Sequence, residues 1–201
     1  MSDSLARARL ARAAGRLAGG ALPPLVLMTD AERLADPASA ARALPRGSMV
    51  VARARDSERL RLLARTLLDV SRARGLAILL AGDPELAARL GAGGAHLPES
   101  RAGEAAYWRA RFPALTITCA AHSLRALMRA ALLPVDAVLL SPVFASASHP
   151  GRAPLSAARA SLIARSLPPA VYALGGIDAR SVLRLAPGAF AGVAAVGALR
   201  A

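Results

Sequence analysis

Apolar residues fall along the chain in short continuous runs that end at polar residues or glycine, separated by longer stretches in which apolar positions recur every three or four residues. The short runs predict strands at Leu25 to Thr29, Ser48 to Arg53, Leu76 to Ala81, Gly94 to Leu97, Leu115 to Cys119, Asp136 to Leu140, Ala170 to Leu174 and Gly192 to Val196. The stretches between them, Ser57 to Arg74 and His122 to Leu133 among them, carry the helix period. A strand that is apolar along its whole length is buried on both faces, which calls for a parallel sheet covered by helices. Eight such units in 201 residues predict an α/β fold, a single (β/α)8 TIM barrel near the lower size limit of that architecture. A flavodoxin-like open sheet, which needs fewer of these strands, is the competing arrangement. Residues 1–22 read as an N-terminal helix or extension and 23–201 as the barrel. Arg7, Arg9, Arg12 and Arg16 among alanines predict a short amphipathic helix covering the barrel floor, or a frayed terminus.

The polar residues cluster at one end of the predicted strands. Asp30 follows the first, Arg53 and Arg55 end the second, Asp83 follows the third, His96 and Glu99 sit at the fourth, and His122 follows the fifth. Ser141 to His149 follow the sixth. The last two strands run into Gly175-Gly176 and Val196-Gly197, each before a helix-like stretch. Carboxyl ends of strands are where barrel enzymes place their sites, and the loops after the last two strands are where they bind phosphate. Bare amides at such a strand end, beside the positive end of a helix, suit a phosphate dianion.

Composition narrows the partners. The net charge of +13 would favour a polyanion, but all 26 basic residues are arginine and they are scattered along helical stretches. Neither aromatic stacking motifs nor zinc-finger spacing accompanies them, so no nucleic-acid partner is expected. No apolar run approaches the roughly 18 residues of a membrane span, so no membrane partner is expected either. Cys119 stands alone, which rules out an internal disulfide, suits a reducing, cytoplasmic setting and reads as a core residue.

The order and spacing of Leu25-Val26-Leu27-Met28-Thr29-Asp30, Gly91-Ala92-Gly93-Gly94-Ala95-His96-Leu97, Ser141-Pro142-Val143-Phe144 and the two glycine segments resemble the thiamin-phosphate synthases and their thiazole-tautomerase (TenI-like) relatives. The resemblance implies a TIM barrel and thiamine biosynthesis: coupling of a pyrimidine diphosphate with a thiazole phosphate, release of pyrophosphate, and help from Mg²⁺. It implies thiazole-phosphate contacts from Ser146, Ser148, Gly175, Gly176, Val196 and Gly197. Arg53 and Arg55 stand in its Gln-x-Arg-x-Lys segment, His122 matches its strand-five His, and His149 takes the place of a diphosphate-binding Lys. Arg53 and His149 are thus the expected catalytic residues.

This chain departs from the family pattern at the metal. The carboxylate expected after the third strand falls at Gly82, one residue before Asp83, and the second falls at Arg101, two residues beyond Glu99. Asp83 and Glu99 remain weak metal candidates. The expected partners are thiazole phosphate, pyrimidine diphosphate and thiamine phosphate, with homo-oligomerisation left open. Two further readings stay open beside the synthase: a catalytically weak or silent binder of thiazole phosphate or thiamine phosphate, and a TenI-like isomerase of a phosphorylated heterocycle using His149, His122 or His96 as general base. The proton-transfer His of the tautomerases aligns with Pro142, the synthase-type residue.

Overall fold

The computed structural model describes residues 3–17, 21–145 and 153–199. Eight parallel strands close a barrel in strict sequence order: β1 (Leu25–Met28), β2 (Met49–Ala52), β3 (Ala77–Ala81), β4 (Gly94–Leu97), β5 (Thr116–Ala121), β6 (Ala137–Leu140), β7 (Ala170–Leu174) and β8 (Gly192–Ala195), with β8 pairing back onto β1. The open-sheet alternative is thereby set aside. Helices α1 (Asp3–Leu17), α2 (Pro37–Arg42), α3 (Ser57–Arg74), α4 (Pro84–Leu90), α5 (Ala105–Arg111), α6 (Leu124–Ala130) and α7 (Ala157–Ala164) cover it.

Side-chain alternation along each strand sorts the apolar residues into two layers. Val26, Met28, Met49, Val51, Leu139 and Tyr172 belong to the cluster that fills the barrel. Leu25, Leu27, Val50, Leu80, Leu97 and Cys119 face outward into the larger core beneath the helices. Tyr172 is wholly buried, and its hydroxyl donates to the Pro23 carbonyl at 2.8 Å, which satisfies the one polar atom that its ring carries inside. Burial, followed by the negative charge of Glu99, pushes the Cys119 thiol up to about 12, so it behaves as a core residue.

The helices start where side-chain acceptors are available. Asp36, Asp56, Asp83, Ser123 and Ser156 cap α2, α3, α4, α6 and α7 respectively, each accepting a backbone amide of the first turn. His122 precedes the cap of α6 and does not serve as one. Two sequence expectations are corrected. Helix α1 does not close the barrel floor: it packs against β8, β1 and the short turns after β7 and β8, burying Leu10, Ala14 and Leu17. It fills the outer layer there because, among the described residues, β7 and β8 are followed by 3-10 turns, Ser181–Arg184 and Gly197–Leu199. Those single turns carry little macrodipole, so an anion cradle at this edge rests on local amides.

Candidate functional site

The carboxyl ends of the strands form one mouth, and its first part is built around Arg53. The Thr29 hydroxyl accepts the Arg53 amide at 2.7 Å and donates to the Arg53 carbonyl at 3.2 Å, which pins the end of β2 to that of β1. The guanidinium then reaches back: Nε donates to the Thr29 carbonyl at 3.0 Å and Nη2 to Asp30 Oδ2 at 2.8 Å. The same carboxylate oxygen takes Arg33 Nη2 at 2.7 Å. The hydrogen bond from Arg33, aided by its charge and by the Arg33 and Glu32 amides, outweighs burial and holds the Asp30 carboxyl down at about 2. One fixed anion therefore faces two guanidinium groups, and the local balance is positive. Arg55 pairs with Glu32, both well exposed, an ion pair of small energetic weight. Asp30, Glu32, Arg53 and Arg55 line an open cleft of about 350 Å³, within the usual size range of small-ligand sites.

The opposite side is a backbone site. Gly175 and Gly176 both have positive φ, +89° and +65°. A Cβ on Gly175 would lie 2.8 Å from Pro142 Cα, and one on Gly176 would lie 2.3 Å from the Ala145 carbonyl oxygen. The turn thus needs glycine for both conformation and space. The segment after β6 is held against it by Val143 N–H to Leu174 O at 2.9 Å and Phe144 N–H to Gly175 O at 3.1 Å. Beneath, the Ser181 hydroxyl donates to Gly176 O at 2.7 Å while Asp178 accepts the Arg180 and Ser181 amides at 2.7 Å each. Val196 packs on the barrel interior, and at Gly197 a Cβ would meet open space. Ser146, Ser148 and His149 lie outside the described residues.

Between the two sides stand the histidines. His96 is buried inside the barrel, with Nδ1 2.9 Å from Thr118 Oγ1. That hydroxyl also lies 3.4 Å from the Ala95 carbonyl oxygen. Burial, then the charges of Arg53 and His122, lower the His96 pKa to about 4, so the ring is neutral at physiological pH. An unfolded chain binds this proton below its ordinary value of 6.5 and the folded chain only below about 4. Stability is therefore complete above pH 6.5 and falls as pH drops toward 4, by about 3 kcal/mol from this group. The measurement is urea unfolding at pH 7 and pH 4.5: His96→Asn should flatten the difference, and an unchanged pH dependence in that variant would exclude His96 as its source.

The metal candidates are occupied elsewhere. Asp83 Oδ1 accepts the Leu86 amide at 2.8 Å as the cap of α4. Glu99 Oε2 accepts both the amide and Nδ1 of His122, and Oε1 lies 3.7 Å from Arg129. At Arg101, Nε and Nη2 clasp the Glu104 carboxylate at 2.7 Å each and Nη1 donates to the Gly82 carbonyl at 2.7 Å. No group of three or more His, Cys, Asp or Glu among the described residues is placed to hold a metal ion. Mg²⁺ is usually held by one or two carboxylates together with substrate phosphates, and both candidate carboxylates here already accept other donors.

The sequence matches the family described as thiamine monophosphate synthase, TMP-TENI, over residues 25–199. The chain belongs to the thiamine monophosphate synthase family. Membership of this family implies small phosphorylated heterocycles as ligands, and α1 lies before the matched span. Among solved structures, the chain is similar to thiamine phosphate pyrophosphorylase from Pyrococcus furiosus, at 19% identity and TM-score 0.66, over 91% of this chain and 87% of that one. It is also similar to N-(5'-phosphoribosyl)anthranilate isomerase from Pyrococcus furiosus, at 14% identity and TM-score 0.58, over 87% of this chain and 88% of that one. Both likenesses speak to the fold. No curated protein gives a significant match. No helix among the described residues is long and apolar enough to cross a membrane.

Several participants were not singled out from the sequence. Thr29 bonds Arg53 directly across the β1–β2 register, in which Met28 pairs with Val51, and Arg33 meets Arg53 through the shared Asp30 carboxylate. Thr118 meets His96 because the two are register partners on β4 and β5. The i,i+3 spacing of Asp30 and Arg33 was a legible signal; the strand registers were not.

Proposed function

We propose that this member of the thiamine monophosphate synthase family couples a pyrimidine diphosphate to a thiazole phosphate and releases pyrophosphate, with arginine in place of a divalent cation at the diphosphate. The observation that carries this reading is the anchored Arg53. Its Nε and Nη2 are held by Thr29 and Asp30, and the guanidinium borders the cleft after β1 and β2. A fork fixed on one side offers its remaining N–H donors to a diphosphate without a large ordering cost, and stays charged at any physiological pH. The thiazole phosphate would take the Gly175-Gly176 turn and the Val196-Gly197 end of β8, where main-chain amides supply the donors. The bond to the diphosphate breaks as the bond to the thiazole forms, and positive charge beside the leaving oxygens lowers the barrier.

The test is pyrophosphate release from purified protein, with each substrate alone and with both, in added Mg²⁺ and in chelator. Release that needs both substrates and persists in chelator is the expected result; release abolished by chelator would overturn the arginine-based site. A second reading, a binder of thiazole phosphate or thiamine phosphate without turnover, is favoured by one observation, the engagement of Asp83 and Glu99 in other bonds. Calorimetry separates the two: tight binding of thiazole phosphate with no pyrophosphate release selects the binder, and no binding removes both.

A further inference from the structure

A cavity of about 250 Å³ lies away from the mouth, between α1, the start of β1, the segment entering β2 and the end of α3. Its walls are largely apolar: Ala8 and Ala11 from α1, Leu25 from β1, Leu44 after α2, and Leu199. Ser4, Arg7 and Arg74 supply its polar side chains. Arg7 is engaged in an interaction of its own. Arg74, the last residue of α3, is not matched in charge.

The Arg74 side chain is half-buried, and Nη2 donates to the Leu44 carbonyl at 2.9 Å, a neutral acceptor. Nε is sealed from solvent without a hydrogen-bond partner, the one such side-chain atom among the described residues. None of the ion pairs among the described residues includes Arg74, and no acidic residue among them lines the cavity. Arg53, Arg101 and Arg109 are half-buried too, and each of them faces a carboxylate. A guanidinium stays charged at any physiological pH, so its partial burial without an anion is a cost that its surroundings do not offset. The charge is shared over three nitrogens. An anion at Nη1, which carries no bond among the described residues, therefore stabilises the whole group.

We propose that this cavity binds a small aliphatic carboxylate, its head on Arg74 and its chain against Ala8, Ala11, Leu25 and Leu44. The charge selects the head group. One guanidinium without a counter-ion asks for one negative charge, and a phosphate dianion would bring a second into walls that are mostly apolar. The walls select the tail, because a bare inorganic anion leaves their apolar surface uncovered. Since α1 supplies one wall and packs on β1 and β8, the ligand ties that helix to the barrel. The site is independent of the transfer reaction proposed above: it shares no residue with the arginine cleft or the glycine turn.

Calorimetry on the full chain with hexanoate, hexanol and inorganic phosphate tests it. Hexanoate should bind one-to-one and raise the melting temperature, with hexanol and phosphate weaker by roughly tenfold or more. Arg74→Gln, which can still donate to the Leu44 carbonyl, should cost hexanoate roughly tenfold in affinity. Ala8→Phe leaves Arg74 in place, fills the cavity from α1 and should block hexanoate. In the wild type, the Arg74 Nε–H resonance should shift on adding hexanoate and stay in place with hexanol, a readout that a general change in stability does not move. Hexanol that binds as tightly as hexanoate overturns the carboxylate, and phosphate that does so overturns the aliphatic tail. Hexanoate held equally by wild type and both variants puts the ligand elsewhere on the chain, and no binding to wild type overturns the site altogether. Circular dichroism establishes that the variants are folded; where one is not, the other variant and the Arg74 resonance decide.

Discussion

Arg53→Ala is expected to lower pyrophosphate release by about a hundredfold to a thousandfold, while thiazole phosphate binds as in the wild type within about threefold. The asymmetry follows from the construction of the mouth. Arg53 is tied to Thr29 and Asp30 at the ends of β1 and β2, whereas the glycine turn is held by β6, β7 and Ser181. Removing the guanidinium deletes the anchored cation and also leaves Asp30, whose carboxyl sits at about 2, balanced by Arg33 alone. A carboxylate facing the diphosphate with one partner fewer repels it, so the loss exceeds that of a single hydrogen bond. Arg53→Lys keeps the charge but cannot hold Thr29 O and Asp30 at once while still offering a fork, and should recover only part of the rate. Steady-state kinetics together with calorimetry provide the readout. Equal losses of turnover and thiazole-phosphate affinity would place both ligands on Arg53, and an unaffected rate would remove the diphosphate from this cleft.

The barrel was legible in the sequence because its signal is repeated eight times. All eight predicted strands overlap observed ones, and Gly94–Leu97 and Ala170–Leu174 match at both ends. Fully apolar strands flanked by helix-period stretches leave few other solutions, and Ser57–Arg74 is a helix over the predicted span. The position of α1 was not legible: an amphipathic helix shows that it buries one stripe, not which surface receives it, and that surface is bordered by the 3-10 turns described after β7 and β8. The partners of the polar residues were hidden for a related reason. Glu99 and His122 are 23 residues apart, as are Asp30 and Arg53. Each pair is brought together by parallel register between neighbouring strands, which periodicity does not encode. Asp83 shows a role that its place at a strand end did not reveal: the Pro84–Leu90 helix behind it takes the Oδ1 oxygen as its cap.

Gly176→Ala is expected to cost the protein its grip on phosphate, with at least a tenfold loss of affinity for thiazole phosphate, and to lower stability by about 2 kcal/mol. Two penalties combine. At φ +65° an L-residue is strained by about 1–2 kcal/mol, and the new methyl group would sit 2.3 Å from the Ala145 carbonyl oxygen, a main-chain atom that cannot rotate away. Relief requires the segment after β6 to separate from the β7 turn, loosening Phe144 N–H to Gly175 O, and with it the orientation of the amides meant to meet the oxyanion. Gly188→Ala supplies the control, since it has φ +69° but nothing within 4 Å of the added carbon. It carries the conformational penalty without the collision. Thermal denaturation and calorimetry on both variants separate the terms: both should melt lower, but only Gly176→Ala should lose the ligand. Equal affinity in the two would mean that phosphate is held by something other than this turn, and the placement of the thiazole half of the site would fall.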